Sequence, residues 1–248
     1  MDDTIGAGDK LIQLIETLKE RGSSGVSELA SHTEMPKSTV HAHLTTLKQH
    51  GYVVQNESRE YRLSLRFLDI GSKVRETREM YDEIKPKLNE ISDETNEKAW
   101  WAVEENGKAV FMAKSKGDRA IQTNARIGLH IELYRLAAGV AILANLPAVR
   151  RAEILDTYTY PLPSGHERDE LEAKLATVRD EGVAYGTDSF LEGVTGIGVP
   201  LLDNTGTVHG AISISGPNNR LEDDRNKRQW TDLLRGISGE LQVNFSHL

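Results

Sequence analysis

Two groups of side chains in this 248-residue chain have the types and spacing to do chemistry, and both point to binding rather than to bond-making. The first lies in residues 37–50. There the spacing of Val40, Leu44 and Leu47 predicts a helix with one buried stripe, and at about 100° per residue Ser38, Ala42, Thr45 and Gln49 point directly away from it. Thr39, His41 and Thr46 flank that outer face, and Lys37 and Lys48 bracket it. A helix that only needs to be soluble usually carries Glu and Lys there. Small, uncharged donors and acceptors instead suit a helix that enters the major groove and reaches base edges. No acidic residue occurs between Glu34 and Glu57, so the window can approach phosphate.

The second group lies near the C-terminus. Ile212 and Ile214 alternate with Ala211, Ser213 and Ser215, so a strand over this run puts two hydroxyls on one wall and the apolar pair on the other. A helix beginning near Leu136 would offer free backbone N–H groups and the positive end of its dipole to a carboxylate. Neither group is a catalytic constellation. No G-x-S-x-G elbow surrounds Ser213 or Ser215, and H-E-x-x-H and G-x-x-x-x-G-K-[ST] are absent. His41 and His43 sit about 200° apart on a helix and cannot share an ion, and the chain has no cysteine for a thiolate site. We therefore expect no enzyme, metal or cofactor. The competing reading is a ligand-binding or hydrolytic module fused to a helix-turn-helix used for protein contacts.

The elements that must position these groups follow from periodicity and punctuation. Leu11, Leu14, Ile15 and Leu18 predict a first helix that stops at residues 21–25, and residues 26–31 predict a short second helix capped by Ser24 or Gly25. Pro36 opens the third and Gly51 ends it. Residues 52–54 and 61–63 then read as a hairpin with a polar tip, making Arg59 and Arg62 phosphate contacts on a wing. Residues 65–78 mix Leu65, Leu68, Ile70 and Val74 with basic side chains and predict a helix linking two domains at a dimer seam. Beyond it, Ile84, Leu88 and Ile91 predict a helix ending near Asn96, and residues 100–103 and 109–113 a hairpin around Asn106 and Gly107. Residues 119–124 are read as a third strand, residues 136–146, 148–155 and 167–181 as helices, residues 183–185, 196–202 and 207–215 as strands, and residues 221–243 as a closing helix.

Charge follows the same division. Residues 1–75 carry ten basic and ten acidic side chains, so the net charge of −8 belongs to the remainder. No run approaches the roughly 18 apolar residues of a membrane span, and residues 1–10 lack the basic and apolar regions of a signal peptide. The expectation is a soluble, cytoplasmic protein without a membrane partner.

Val26-Ser27-Glu28-Leu29-Ala30, Met35-Pro36-Lys37-Ser38-Thr39-Val40-His41 and residues 47–53 resemble the helix-turn-helix of the IclR family of transcriptional regulators. Residues 193–200, residues 210–217 with Arg220, and residues 133–146 resemble the effector domain of the same family. The resemblance implies an α+β, two-domain architecture: a winged helix-turn-helix over residues 1–64, a linker helix over 65–80, and a GAF-like effector-binding domain with an antiparallel sheet over 81–248. It further implies a double-stranded DNA operator, a small organic effector, commonly a carboxylate from carbon catabolism, and a homo-dimer or tetramer. The effector residues it suggests are Leu133, Tyr134, Leu136, Ala137, Gly186, Gly196, Ser213 and Ser215. Family positions depart here. The usual Arg and Leu after His41 are Ala42 and His43, the usual Cys and Asp of the pocket are Gly196 and Gly186, and the usual His and Thr are Tyr134 and Leu136. Losing those polar groups predicts a roomier, less polar pocket and a different or larger ligand.

Overall fold

A computed structural model describes residues 5–78, 80–186 and 191–245. The chain divides into two compact units, Met1–Thr77 and Arg78–Leu248. Among the described residues no helix is long and apolar enough to cross a membrane.

In the first unit, helices α1 (Gly6–Arg21), α2 (Val26–Thr33) and α3 (Lys37–Gln49) precede a short hairpin, β1 (Val53–Gln55) and β2 (Tyr61–Leu63). Leu14, Leu18, Leu29, Val40, Leu44, Leu47, Val53 and Tyr61 bury together as one core, the stripe expected from helical spacing. Gly25 rather than Ser24 is the N-cap of α2, and Pro36 is the N-cap of α3. The hairpin is tied to the helices by an antiparallel bridge between Ser24 and Tyr61. Its tip turns through Asn56, whose Oδ1 accepts the Glu60 N–H at 2.9 Å, and through Arg59 at φ +63°. Helix α4 (Arg66–Glu76) is two residues shorter at its C-terminal end than the periodicity suggests, and it buries no residue. Tyr52 anchors its start, meeting Phe67 edge-on at 5.4 Å with the Arg66 guanidinium 5.0 Å from its ring centre.

The second unit is built on a six-stranded, wholly antiparallel sheet in the order β5-β4-β3-β8-β7-β6. Its strands are β3 (Lys98–Glu105), β4 (Lys108–Lys116), β5 (His130–Glu132), β6 (Ala184–Gly186), β7 (Val194–Leu202) and β8 (Val208–Pro217). Asn106 and Gly107 both take positive φ, which is what a two-residue hairpin with strand-compatible twist requires. One sheet face is covered by α5 (Tyr81–Thr95) and α10 (Asp224–Phe245), the other by α6 (Ala137–Asn145), with α7 (Ala148–Asp156) and α8 (Arg168–Glu181) completing that layer.

One sequence expectation fails here. Residues 119–124 form no strand: Gly117 lies so close to the backbone of Asn96 that a Cβ would come within 2.4 Å of it, and the chain leaves the sheet at that point. The third strand of that edge comes later, as β5. The closing helix forms as expected but starts three residues later, as α10. A single turn, α9 (Asn218–Leu221), precedes α10, and Asp223 Oδ1 accepts the Asn226 N–H at 3.0 Å to start the second helix afresh.

Candidate functional site

Helix α3 buries Val40, Leu44 and Leu47 and leaves Lys37, Ser38, His41, Ala42, Thr45, Thr46, Lys48 and Gln49 exposed, with Thr39 half-buried. His43 is half-buried beside the apolar stripe, where its position in the helix puts it. Two hydroxyls of the outer face are turned back onto their own helix: Thr45 Oγ1 donates to the His41 carbonyl at 2.8 Å and Thr46 Oγ1 to the Ala42 carbonyl at 3.1 Å. A χ1 rotation frees either one toward a base edge. Lys48 Nζ donates to Gln55 Oε1 at 2.9 Å, and Gln55 Nε2 donates to the Arg59 carbonyl at 3.3 Å. The end of the helix is thus stitched to the hairpin tip. Gln55, which sequence patterning passes over, is the joint between them. Arg59 and Arg62 are exposed on the hairpin, and no carboxylate within salt-bridge distance neutralises them or Lys37 and Lys48 among the described residues.

In the second unit, a cavity of about 70 Å³ opens between the sheet and the start of α6. One water needs about 10–15 Å³ on this measure, so the space suits a small organic molecule. Trp100 and Phe111 form one wall, their ring centres 4.3 Å apart. Leu136, Ala137 and Ala138 bring the first turn of α6 to the cavity. No side chain caps that turn, so the positive end of the helix dipole lies at the cavity with no side-chain acceptor of its own. Ser213 and Ser215 lie on the same wall, as strand alternation requires. Their roles differ. Ser215 Oγ accepts from Trp100 Nε1 at 2.9 Å, whereas the hydroxyl of Ser213, a residue 5% exposed, has no hydrogen-bond partner among the described residues. Thr195, whose hydroxyl donates to the Gly186 carbonyl, Thr123 and Arg135 complete the polar lining. No acidic side chain lines the cavity among the described residues.

Six of the eight residues expected at the pocket, Leu136, Ala137, Gly186, Gly196, Ser213 and Ser215, are therefore brought together. Leu133 and Tyr134 are not. They form a 3-10 turn ahead of α6, Leu133 is fully buried, and Tyr134 stacks edge-on with Tyr158 at 4.9 Å on a separate surface cleft. The turn is held close because Gly139 has no side chain: a Cβ there would sit 2.1 Å from the Leu133 carbonyl oxygen. Gly186 and Gly196 line the cavity and also lie close to the start of α6. A Cβ on Gly186 or Gly196 would come within 3.4 or 3.3 Å of the Ala137 Cβ, and one on Gly198 would strike the Ala137 carbonyl carbon at 2.6 Å. The start of α6 therefore packs close on β6 and β7, closest at Gly198. Sequence reasoning also passed over Trp100, Phe111 and Thr123, which come to the cavity only through strand pairing and a loop crossing.

The model for the IclR helix-turn-helix domain matches residues 8–57, and that for the bacterial transcriptional regulator IclR C-terminal domain matches residues 72–241. The HTH-type transcriptional regulator KdgR of Escherichia coli is 28% identical over 249 residues, covering 99% of this chain and 94% of its own. The crystal structure of Thermotoga maritima IclR superposes with a TM-score of 0.79 at 23% identity, over 97% of both chains. An IclR homologue of Microbacterium hydrocarbonoxydans, solved with 4-hydroxybenzoate, superposes with a TM-score of 0.79 at 18% identity, over 98% of this chain and 100% of that one. Family models matching both the groove-ready helix unit and the cavity-bearing sheet unit establish that this chain belongs to the IclR family of transcriptional regulators.

Proposed function

We propose that this protein binds an operator through α3 and the β1–β2 wing, and that a small carboxylate in the α6 cavity sets the affinity of that binding and so the expression of a carbon-catabolism operon. The observation that carries the reading is the outer face of α3: small, uncharged, exposed side chains bracketed by Lys37 and Lys48, with no acid in the way. Lys37, Lys48, Arg59 and Arg62 contact phosphate, while Ser38, Thr39, His41, Ala42, Thr45 and Thr46 face base edges. Uncapped N–H groups, an unpartnered Ser213 hydroxyl and an aromatic wall support a planar or short-chain acid as the effector.

A second copy completes the molecule. Leu65 and Leu68 are 76% and 66% exposed, and Val74 is exposed with them, an apolar stripe that a homodimer would cover and that paired operator half-sites would match. The protein works in the cytoplasm as a regulator, not as an enzyme. The test is operator binding by purified protein on fragments recovered by genomic immunoprecipitation. Thr45→Ala should weaken binding by about 1–3 kcal/mol and relax preference at one base position. Lys37→Ala should weaken all sequences alike and reduce the salt slope by about one. Unchanged binding in both variants would remove α3 from the groove.

A further inference from the structure

Beyond the α6 turn, the serines and Arg135, which line the cavity, a second cationic side chain stands beside it, behind Thr123. Lys98, the first residue of β3, is 8% exposed, unusual for a lysine without a partner acid. Strand register fixes its direction. Lys98 pairs with Ser215 on β8, and Trp100, two residues on, pairs with Ser213, so all four share the face that carries the cavity. Its Nζ donates to Thr123 Oγ1 at 2.7 Å, and Thr123 lines the cavity. No carboxylate lies within salt-bridge distance of Lys98 among the described residues.

On its other flank the register is worse for a cation. Lys98 stands directly opposite Lys116 on β4, and Lys114 stands opposite Trp100, with its Nζ 5.8 Å from that ring's centre. Like charges directly opposed across a strand pair are destabilising. Burial, and then the neighbouring Lys114 and Lys116, push the Lys98 ammonium below the usual lysine range. The Thr123 hydroxyl relieves this only in part, because it carries no charge. An anion beside Thr123 would bring the counter-charge.

We propose that Lys98 is the residue that selects for an anionic ligand in this cavity, its ammonium and the Thr123 hydroxyl together forming an anion-recognition end separate from the α6 turn. The inference rests on the reading of the cavity as an effector site and names the group that enforces the charge of the effector. Trp100 lies between Lys98 and Ser213 along the face, so a planar acid would lie against the indole with its carboxylate toward Lys98. The lysine then gains the counter-charge that the fold withholds, and neutral analogues of the same shape leave it buried and unpaired.

The test compares acids with their amides of nearly equal shape: benzoate with benzamide, and propionate with propionamide. Binding is followed by calorimetry, with the tryptophan fluorescence as a second readout, on the intact protein and on Lys98→Met. The intact protein should prefer the acid by about tenfold to a hundredfold, the scale of one charge-assisted hydrogen bond. Lys98→Met should lose that preference while still binding the amide, and should be at least as heat-stable because it removes a like-charge pair. Thr123→Val, which keeps the lysine and its charge, should retain a reduced preference. If Lys98→Met keeps the full preference, the α6 turn and Arg135 select charge without it and the proposal falls, while the effector site stands. If neither acid binds the intact protein, the carboxylate effector reading falls and this inference with it.

Discussion

The two faces of the six-stranded sheet are made from the same strands and do opposite things. On one face Trp101, Ile212, Ile214, Ile197, Val199 and Leu201 are buried to within 1% of complete and close against α5 and α10 without a break. On the other, residues displaced by one position along β3 and β8, namely Trp100, Ser213 and Ser215, meet α6 across a cavity, with Lys98 next to them on the same face. Neighbouring residues in the chain thus serve different ends. The apolar face supplies the free energy that lets the polar face remain incompletely filled, because hydrophobic burial on one side can offset unsatisfied groups on the other.

The largest expected effect breaks the closed face. Leu234, fully buried on α10, has no space to be replaced by water or by a neighbour. Leu234→Ala should cost about 2–5 kcal/mol through lost burial and a residual hole. At about 2–4 °C per kcal/mol, thermal denaturation should show a drop of several degrees or more. Ligand affinity in the folded fraction should be unchanged. A loss of affinity with little loss of stability would mean that the two faces are not separable.

The next effect sharpens the difference from the cavity side. Gly198→Ala places a methyl 2.6 Å from the Ala137 carbonyl carbon and 2.7 Å from the Ala138 nitrogen, both backbone atoms that cannot rotate away. Stability should fall by about 1–3 kcal/mol as α6 is pushed off the sheet, and ligand binding should fail with it. Gly236→Ala in α10, where a new Cβ meets nothing within 4 Å, is the matching control and should raise stability by about 0.4–1 kcal/mol. Urea titrations of the two variants should therefore move in opposite directions.

That contrast also explains what could be read in advance. The helix stripe of α3, the two-residue turn at Asn106 and Gly107 and the alternation along β8 are local patterns, and each determines a local structure that the fold keeps. The serines could be assigned to a common wall for that reason alone. The remainder depends on approach distances that a linear pattern does not contain. Gly186 and Gly196 read as missing side chains and hence as space, and the sequence does not show that they, with Gly198, also let the start of α6 lie close to the sheet. Residues 119–124 have the composition of a strand and are pulled from the sheet by the contact of Gly117 with Asn96. Lys98 looks like an ordinary strand-end lysine until pairing places it against Ser215 and Lys116.

The smallest effect separates the two serines, which periodicity cannot tell apart. Ser215 Oγ accepts from Trp100 Nε1, so Ser215→Ala leaves a buried indole N–H without an acceptor and should cost about 1–3 kcal/mol of stability, with the ring free to shift against Phe111. Ser213 Oγ has no such bond to lose. Ser213→Ala should change stability by less than about 0.5 kcal/mol, the range of a substitution that touches no special feature. Its effect should fall on ligand binding, because its hydroxyl is free to serve an occupant of the cavity. Paired melting curves and acid titrations on the two alanine variants check this. If both serines affect stability equally and neither affects binding, the polar face is merely an imperfect copy of the apolar one, and the cavity is a packing defect rather than a sensor.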